Sequence, residues 1–175
     1  MSTEKEKMLA ASKSSFPAVA DARTQLLILG SLPGEISLAH AQYYANPRNQ
    51  FWRLMEAVTG RTLVSAAYKS RLETLLSAGV GVWDVIASAE RVGSLDTNIR
   101  NHQPNTLGAF AAGLPSLKAI AFNGGKAAGI GRKQLAADAG YELITLPSSS
   151  PAHAVPFERK LEQWRALSAF VCATS

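Results

Sequence analysis

Four stretches of this 175-residue chain concentrate the residue types that could do chemistry. The first is Gly30-Ser31-Leu32-Pro33-Gly34, followed after a short loop by Tyr43-Tyr44-Ala45-Asn46-Pro47-Arg48-Asn49-Gln50-Phe51-Trp52. The others are Trp83-Asp84-Val85-Ile86, Phe122-Asn123-Gly124-Gly125-Lys126 and Pro147-Ser148-Ser149-Ser150-Pro151-Ala152-His153-Ala154. The Gly30–Gly34 run permits a tight turn in which backbone comes close to a ligand, so Gly30, Ser31 and Pro33 are candidates for such contacts. Asp84 ends an otherwise apolar run and offers hydrogen-bond acceptors, while Asn123 offers both donors and an acceptor.

Several chemistries are disfavoured by the spacing. Asn123-Gly124-Gly125-Lys126 lacks the Gly-x4-Gly-Lys-Ser/Thr order of a nucleoside-triphosphate loop, although its backbone N–H groups could hold a phosphate. Ser150 and His153 suggest a hydrolase pair, but no Gly-x-Ser-x-Gly elbow accompanies them. The histidines, His40, His102 and His153, lack zincin spacing, and Cys172 is the only cysteine, so neither a cysteine-rich zinc site nor an internal disulfide is expected.

The elements that must position these stretches are read from hydrophobic period. Apolar runs at Leu26–Leu29, Val80–Ile86, Leu117–Phe122 and Tyr141–Leu146 are strand candidates, too far apart for hairpins and separated by helical patterns. Helices are expected after Asn46-Pro47 up to Gly60, over Ala67–Ala78, over Lys126–Ala139 and over Phe157–Val171. Residues 1–24 follow no period and read as a flexible tail, leaving 25–175 as a single domain. The expected architecture is a three-layer αβα sandwich around a four-stranded, mainly parallel sheet. Its ligand site should lie at the carboxyl ends of the strands, where all four chemical stretches fall.

Composition sets the class of partner. With 47% hydrophobic residues and 18% charged residues, the chain can bury a core, and no apolar run is long enough to span a bilayer. No secretory signal is evident, so the cytoplasm is the expected compartment. The formal net charge of +5 suggests an anionic partner such as nucleic acid. Arg48, Arg53, Arg61, Lys69 and Arg71 form one basic stretch, and Arg100, Lys118, Lys126, Arg132 and Lys133 a second, which together could make one basic face or simply a solvated surface.

Taken together, the Gly-x-x-Pro turn, the Tyr-Tyr-x-x-Pro-x-Asn-x-Phe-Trp run, VWDV, FNGGKA and LPSSSPAHA resemble the uracil-DNA glycosylase superfamily, most of all its hypoxanthine-DNA glycosylase branch, over about residues 25–170. The resemblance implies a monofunctional enzyme without metal or organic cofactor. It would flip a deaminated base, hypoxanthine or uracil, out of DNA and hydrolyse its N-glycosidic bond in base excision repair. Many relatives carry Asn or Asp at the position of Leu32 to handle the attacking water, and an aliphatic side chain cannot. In the branch resembled here the burden falls on Asn49, which becomes the catalytic candidate. Tyr44 corresponds to a ring laid against the base, and Asp84 to a reader of its edge, with Leu32 and Asn123 beside them. Lys126, Ser148, Ser149 and Ser150 correspond to phosphate ligands, and Pro151 and His153 to a loop entering the DNA. Two other readings remain open at this point: a nucleic-acid-binding module of the same fold without chemistry, and a small-molecule hydrolase using Ser150 and His153. The protein is expected to act as a monomer, with DNA binding weakened by salt.

Overall fold

The computed structural model describes residues 12–135 and 139–173. Four strands, β2 (Leu26–Gly30), β3 (Val80–Asp84), β6 (Ala119–Asn123) and β7 (Glu142–Leu146), form an all-parallel sheet in the order β3-β2-β6-β7. Every strand is short and apolar, and alternate residues serve opposite faces as the strand period requires. Leu26, Ile28, Ala119 and Ala121 point into one core, where Phe51, Leu54, Met55, Leu75 and Trp164 cover them. Leu27, Leu29, Ile120 and Phe122 point into the other, beside Val85, Ile86, Leu107 and Ala127. The first core is closed by α2 (Phe51–Thr59), α3 (Tyr68–Ser77) and α6 (Phe157–Trp164), and the second by α4 (Leu107–Ala112) and α5 (Gly125–Gly131). A further helix, α1 (Glu35–His40), follows β2. The expected three-layer sandwich is therefore present. No described helix is long and apolar enough to cross a membrane.

An additional antiparallel sheet, in the order β1-β4-β5, joins β1 (Ser12–Ser14), β4 (Ile86–Glu90) and β5 (Arg100–Pro104). It corrects two sequence expectations. The apolar run Val80–Ile86 is not one strand, because the N–H groups of Val85 and Ile86 turn back to donate to Gly30 O and Ser31 O, ending β3 and starting β4. Residues 12–24 are not a tail: β1 pairs with β4, and Val19 exchanges backbone hydrogen bonds with Val82 at 2.8 and 2.9 Å. Gly81 leaves room for this segment, since a Cβ there would lie 3.0 Å from Val19 O and 3.1 Å from Ala20 Cβ. Residues 1–11 lie outside the described residues.

Helix boundaries also shift. The helix expected to start at Asn46-Pro47 starts at Phe51, because short polar side chains capture the preceding backbone. Arg48 N–H donates to Asn46 Oδ1, Asn49 N–H to Asn46 O, and Phe51 N–H to Asn49 Oδ1. The apolar face of α2 matches expectation, with Phe51, Leu54, Met55 and Val58 buried and Gly60 ending it in a left-handed conformation. The helix expected over Lys126–Ala139 stops at Gly131 and tightens into a 3₁₀ turn at Arg132–Gln134, and 136–138 lie outside the described residues. The last helix likewise gives way to 3₁₀ geometry at Arg165–Phe170.

Phe16 gives the amino-terminal segment a measurable role. Its ring meets Tyr43 edge to face at 5.1 Å, and its carbonyl accepts from Trp83 Nε1 at 3.0 Å. Phe16→Ala is expected to lower unfolding free energy by about 2–3 kcal/mol in urea titration, below the range for a fully buried Phe because Phe16 is only partly covered. A tail residue would show no change.

Candidate active site

The parallel register sets the site. Gly30 pairs with Asp84 across β2 and β3, and Asn123 pairs with Leu146 across β6 and β7. Leu29 faces Phe122, so all four terminal residues stand along one edge of the sheet. The loops leaving that edge enclose a cleft of about 540 Å³, within the size range of small-ligand sites. Gly30, Ser31, Leu32, Pro33, Tyr44, Asn49, Asp84, Asn123, Ser148, Ser149, Ser150, Pro151 and His153 all line it. Lys126 does not, being carried on α5 outside the cleft wall.

Two features hold the floor. Gly30 is required by close approach, for a Cβ at this position would lie 2.7 Å from Asp84 Oδ1 and 3.0 Å from the Tyr44 hydroxyl. Tyr44 has a left-handed backbone with φ of 54°, and its carbonyl accepts from Trp52 Nε1 at 3.2 Å. Its ring stacks on Phe51 with centroids 3.9 Å apart, and burial pushes its phenol well above the ordinary range. Asn123 ties this ring to the fourth loop: Nδ2 donates to the Tyr44 hydroxyl and to Ser149 Oγ, and Oδ1 accepts from Ser149 N–H. Its amide is thus committed to protein partners, and its action on any ligand is through the placement of Tyr44 and Ser149.

Asn49 stands at the entry to α2. Its Oδ1 accepts from Phe51 N–H at 3.0 Å, which fixes the carboxamide at the cleft wall, while its NH₂ has no protein partner among the described residues. The neighbouring Gln50 N–H donates to Ser149 O at 3.0 Å, joining this turn to the serine loop. Within that loop Ser150 N–H donates to Ser148 Oγ, and Ser150 Oγ accepts from Ala152 N–H. His153 reaches Ser150 through its backbone N–H, to Ser150 O at 3.1 Å; no hydrogen bond joins its ring to the Ser150 hydroxyl among the described residues.

Asp84 is a strongly perturbed carboxylate in the cleft. It is 3% exposed, and its Oδ2 is buried without a hydrogen-bond partner. Burial first, then the charge of Asp96, raise its pKa from 3.8 to about 7, with Arg91 opposing. Arg91 is not its hydrogen-bond partner, because that guanidinium donates to the carbonyls of Leu32, Pro33 and Gly93 and so stiffens the first loop. Asp96, in the 3₁₀ turn Asp96–Asn98, also lines the cleft and accepts from Ser31 Oγ at 2.6 Å.

The sequence offers Arg91 only as a buried partner for Asp84 and does not mark Asp96 or Lys160, the latter buried behind the serine loop and donating to Ser150 O at 3.2 Å. Their placement depends on long-range packing. The one usable signal was Asp96 within the turn-rich run Gly93-Ser94-Leu95-Asp96-Thr97-Asn98.

The basic residues of the two stretches are carried on α2, α3, β5, α5 and the turns beside them. Lys118 precedes β6 at the amino edge of the sheet, opposite the cleft, and Arg61 donates to Ser77, Cys172 and Ala173. Arg53 lies over Phe157 and Arg71 over Trp52, so these cations cover apolar surface. Among the described residues no lysine or arginine lines the cleft, whose charged groups are Glu35, Asp84 and Asp96, with His153 at the rim.

An αβα sandwich with its cleft at the carboxyl edge of a parallel sheet, carrying these polar loops, defines a class that comparison with known proteins makes specific. Residues 16–169 match the uracil DNA glycosylase superfamily, and the chain belongs to it. It is 40% identical over 155 residues to a Methanosarcina acetivorans protein named hypoxanthine DNA glycosylase, covering 89% of this chain and 97% of the relative. It is 38% identical over 152 residues to a protein of the same name from Methanosarcina barkeri, covering 87% and 95%. The solution NMR structure of a candidate uracil DNA glycosylase from Methanosarcina acetivorans superposes with a TM-score of 0.81 at 39% identity, covering 90% of this chain and 97% of that one.

Burying Asp84 has a pH signature. Below the ordinary carboxylate pKa the group is neutral in both folded and unfolded chains and makes no difference. As pH rises toward 7 the unfolded chain ionises first, so the folded state loses relative stability, and above 7 the penalty is constant. Asp84→Asn, which removes the penalty, is expected to gain stability over the unaltered protein between about pH 4 and about pH 8 by up to roughly 4 kcal/mol, as read from urea denaturation at both pH values.

Proposed function

We propose that this DNA glycosylase hydrolyses the N-glycosidic bond of a deaminated base, hypoxanthine foremost, after the nucleotide has turned out of the duplex into the cleft. The observation that carries the reading is Asn49: its carboxamide is clamped by Phe51 N–H at the wall of the same cleft that holds Tyr44 and Asp84. A base inside a duplex cannot reach such a cleft. Turning it out costs a few kcal/mol, less for a mispaired base, which favours deaminated bases before any contact reads them.

Tyr44, already stacked on Phe51, supplies a platform for the π-face of the base. Asp84 reads its edge. The ionised carboxylate only accepts hydrogen bonds, so it satisfies the lactam N–H that hypoxanthine and uracil share and meets an unprotonated ring nitrogen on adenine or cytosine. That discrimination belongs to the ionised form, and so sharpens as pH rises through about 7. In Asp84→Asn the preference for hypoxanthine over adenine is expected to shrink and to lose this pH dependence, as measured by base release from matched oligonucleotides.

As the C1′–N bond lengthens, negative charge grows on the base and positive charge on the sugar. The free NH₂ of Asn49 is a fixed donor for the departing base or for the incoming water, and such a donor acts most strongly on charge that appears only in the transition state. The absence of any lysine among the described residues of the cleft lining suits water rather than an amine as the nucleophile, hence base release without strand cleavage. Ser148, Ser150, the backbone of Gly30 to Pro33 and the rim residue His153 are positioned to meet the strand on either side.

The test is release of free base from a duplex carrying deoxyinosine. Asn49→Ala is expected to lower the single-turnover rate by roughly 10²–10³ while leaving the affinity for that duplex within a few-fold. Binding without release by the unaltered protein would instead establish a non-catalytic module. Gly30→Ala, by displacing Asp84 and Tyr44 together, is expected to lower the rate at least roughly tenfold with its fold intact by circular dichroism.

A further inference from the structure

Hydrolysis needs a group to take a proton from water, and the amide of Asn49 is no base. Three carboxylates among the described residues line the cleft. Glu35 is ion-paired with Lys13. Asp84 is buried with Oδ2 unpartnered, and in the reading above its carboxylate is engaged at the edge of the base, away from C1′. Asp96 differs from both. It is partly exposed to the cleft, has no ion-pair partner among the described residues, and is anchored through Oδ1 by the Ser31 hydroxyl at 2.6 Å, with no protein donor to Oδ2 among those residues. The Ser31 bond ties it to the loop containing Leu32, whose side chain can bind no water.

We infer that Asp96 is the general base of this site, holding the attacking water on its free oxygen in the cleft that Asn49 also lines. The inference rests on the glycosylase reading above. In the step, the water oxygen forms a bond to C1′ as the C1′–N bond breaks, and the bonding pair leaves with the base. The water proton passes to the Asp96 carboxylate and on to solvent, and the departing base takes a proton from solvent. Asp96 also faces the sugar as cationic character develops there, where an anion is favourable. The titratable and charged groups that share its surroundings are Asp84 from β3, Arg91 after β4, Tyr44 and Glu35 from the loop and helix after β2, and His153 from the serine loop.

Chemical rescue separates a proton-accepting role from a structural one. Single-turnover release of hypoxanthine from a deoxyinosine duplex is measured for the unaltered protein, Asp96→Ala and Asp96→Asn, with duplex affinity measured in parallel. Both variants are expected to lose roughly 10²-fold or more in rate, with affinity within about threefold. Added sodium formate, a small carboxylate that fits the vacated space, is expected to restore the rate of Asp96→Ala at least several-fold in proportion to its concentration, and to leave Asp96→Asn unaffected. Release by either variant within about threefold of the unaltered rate, or a slow Asp96→Ala that ignores formate, overturns the assignment and leaves the glycosylase reading standing. No release by the unaltered protein overturns both.

Discussion

The site depends on the register of one strand. β2 is hydrogen-bonded on both sides by parallel neighbours, and that pairing sets its last residue, Gly30, beside Asp84 and at the level where β6 ends in Asn123. A slip of one residue would reverse the side chains of β2, exchanging Leu26 and Ile28 for Leu27 and Leu29 between two cores that differ in the size of what covers them. The hydrophobic layers thus hold the polar edge in alignment. The same alignment buries Asp84, and the protein carries that destabilisation at the wall of the cleft.

Around that edge the loops are tied to one another and to the end of β6. Asn123 links Tyr44 to Ser149, Gln50 links the helix entry to the same serine, and Arg91 gathers the carbonyls of the first loop. This bonding leaves few free groups facing the cleft, chiefly the Asn49 amide and the carboxylates. An acidic cleft is a poor place for phosphates and a good one for a sugar acquiring positive charge. Under the proposed function this divides the labour: neutral donors and His153 toward the strand, anions and an amide toward the sugar and base.

How much of this was legible in the sequence follows from how local each signal is. The four parallel strands were readable because each is a short apolar run closed by Gly, Asn, Asp or Pro, and their order of chemistry predicted a shared edge. The second sheet was not, because β5 reads Arg-Asn-His-Gln-Pro and is fully exposed, so no hydrophobic period marks it. Asn46 and Asn49 read as helix residues after a favourable proline, yet their side chains bond to neighbouring backbone and postpone the helix to Phe51. That same competition gives Asn49 its orientation. The turn that carries Asp96 can be read, but nothing in it announces a partner sixty-five residues away.

The most direct measurement is mass-spectrometric quantification of free base and intact strand after incubating the protein with duplexes that each carry a single deaminated base. The account predicts free hypoxanthine in amounts equal to the abasic sites formed, with the sugar-phosphate backbone unbroken until alkali is added. Duplex that is bound and recovered with every base in place, or strand cleavage that accompanies release without alkali, would contradict it.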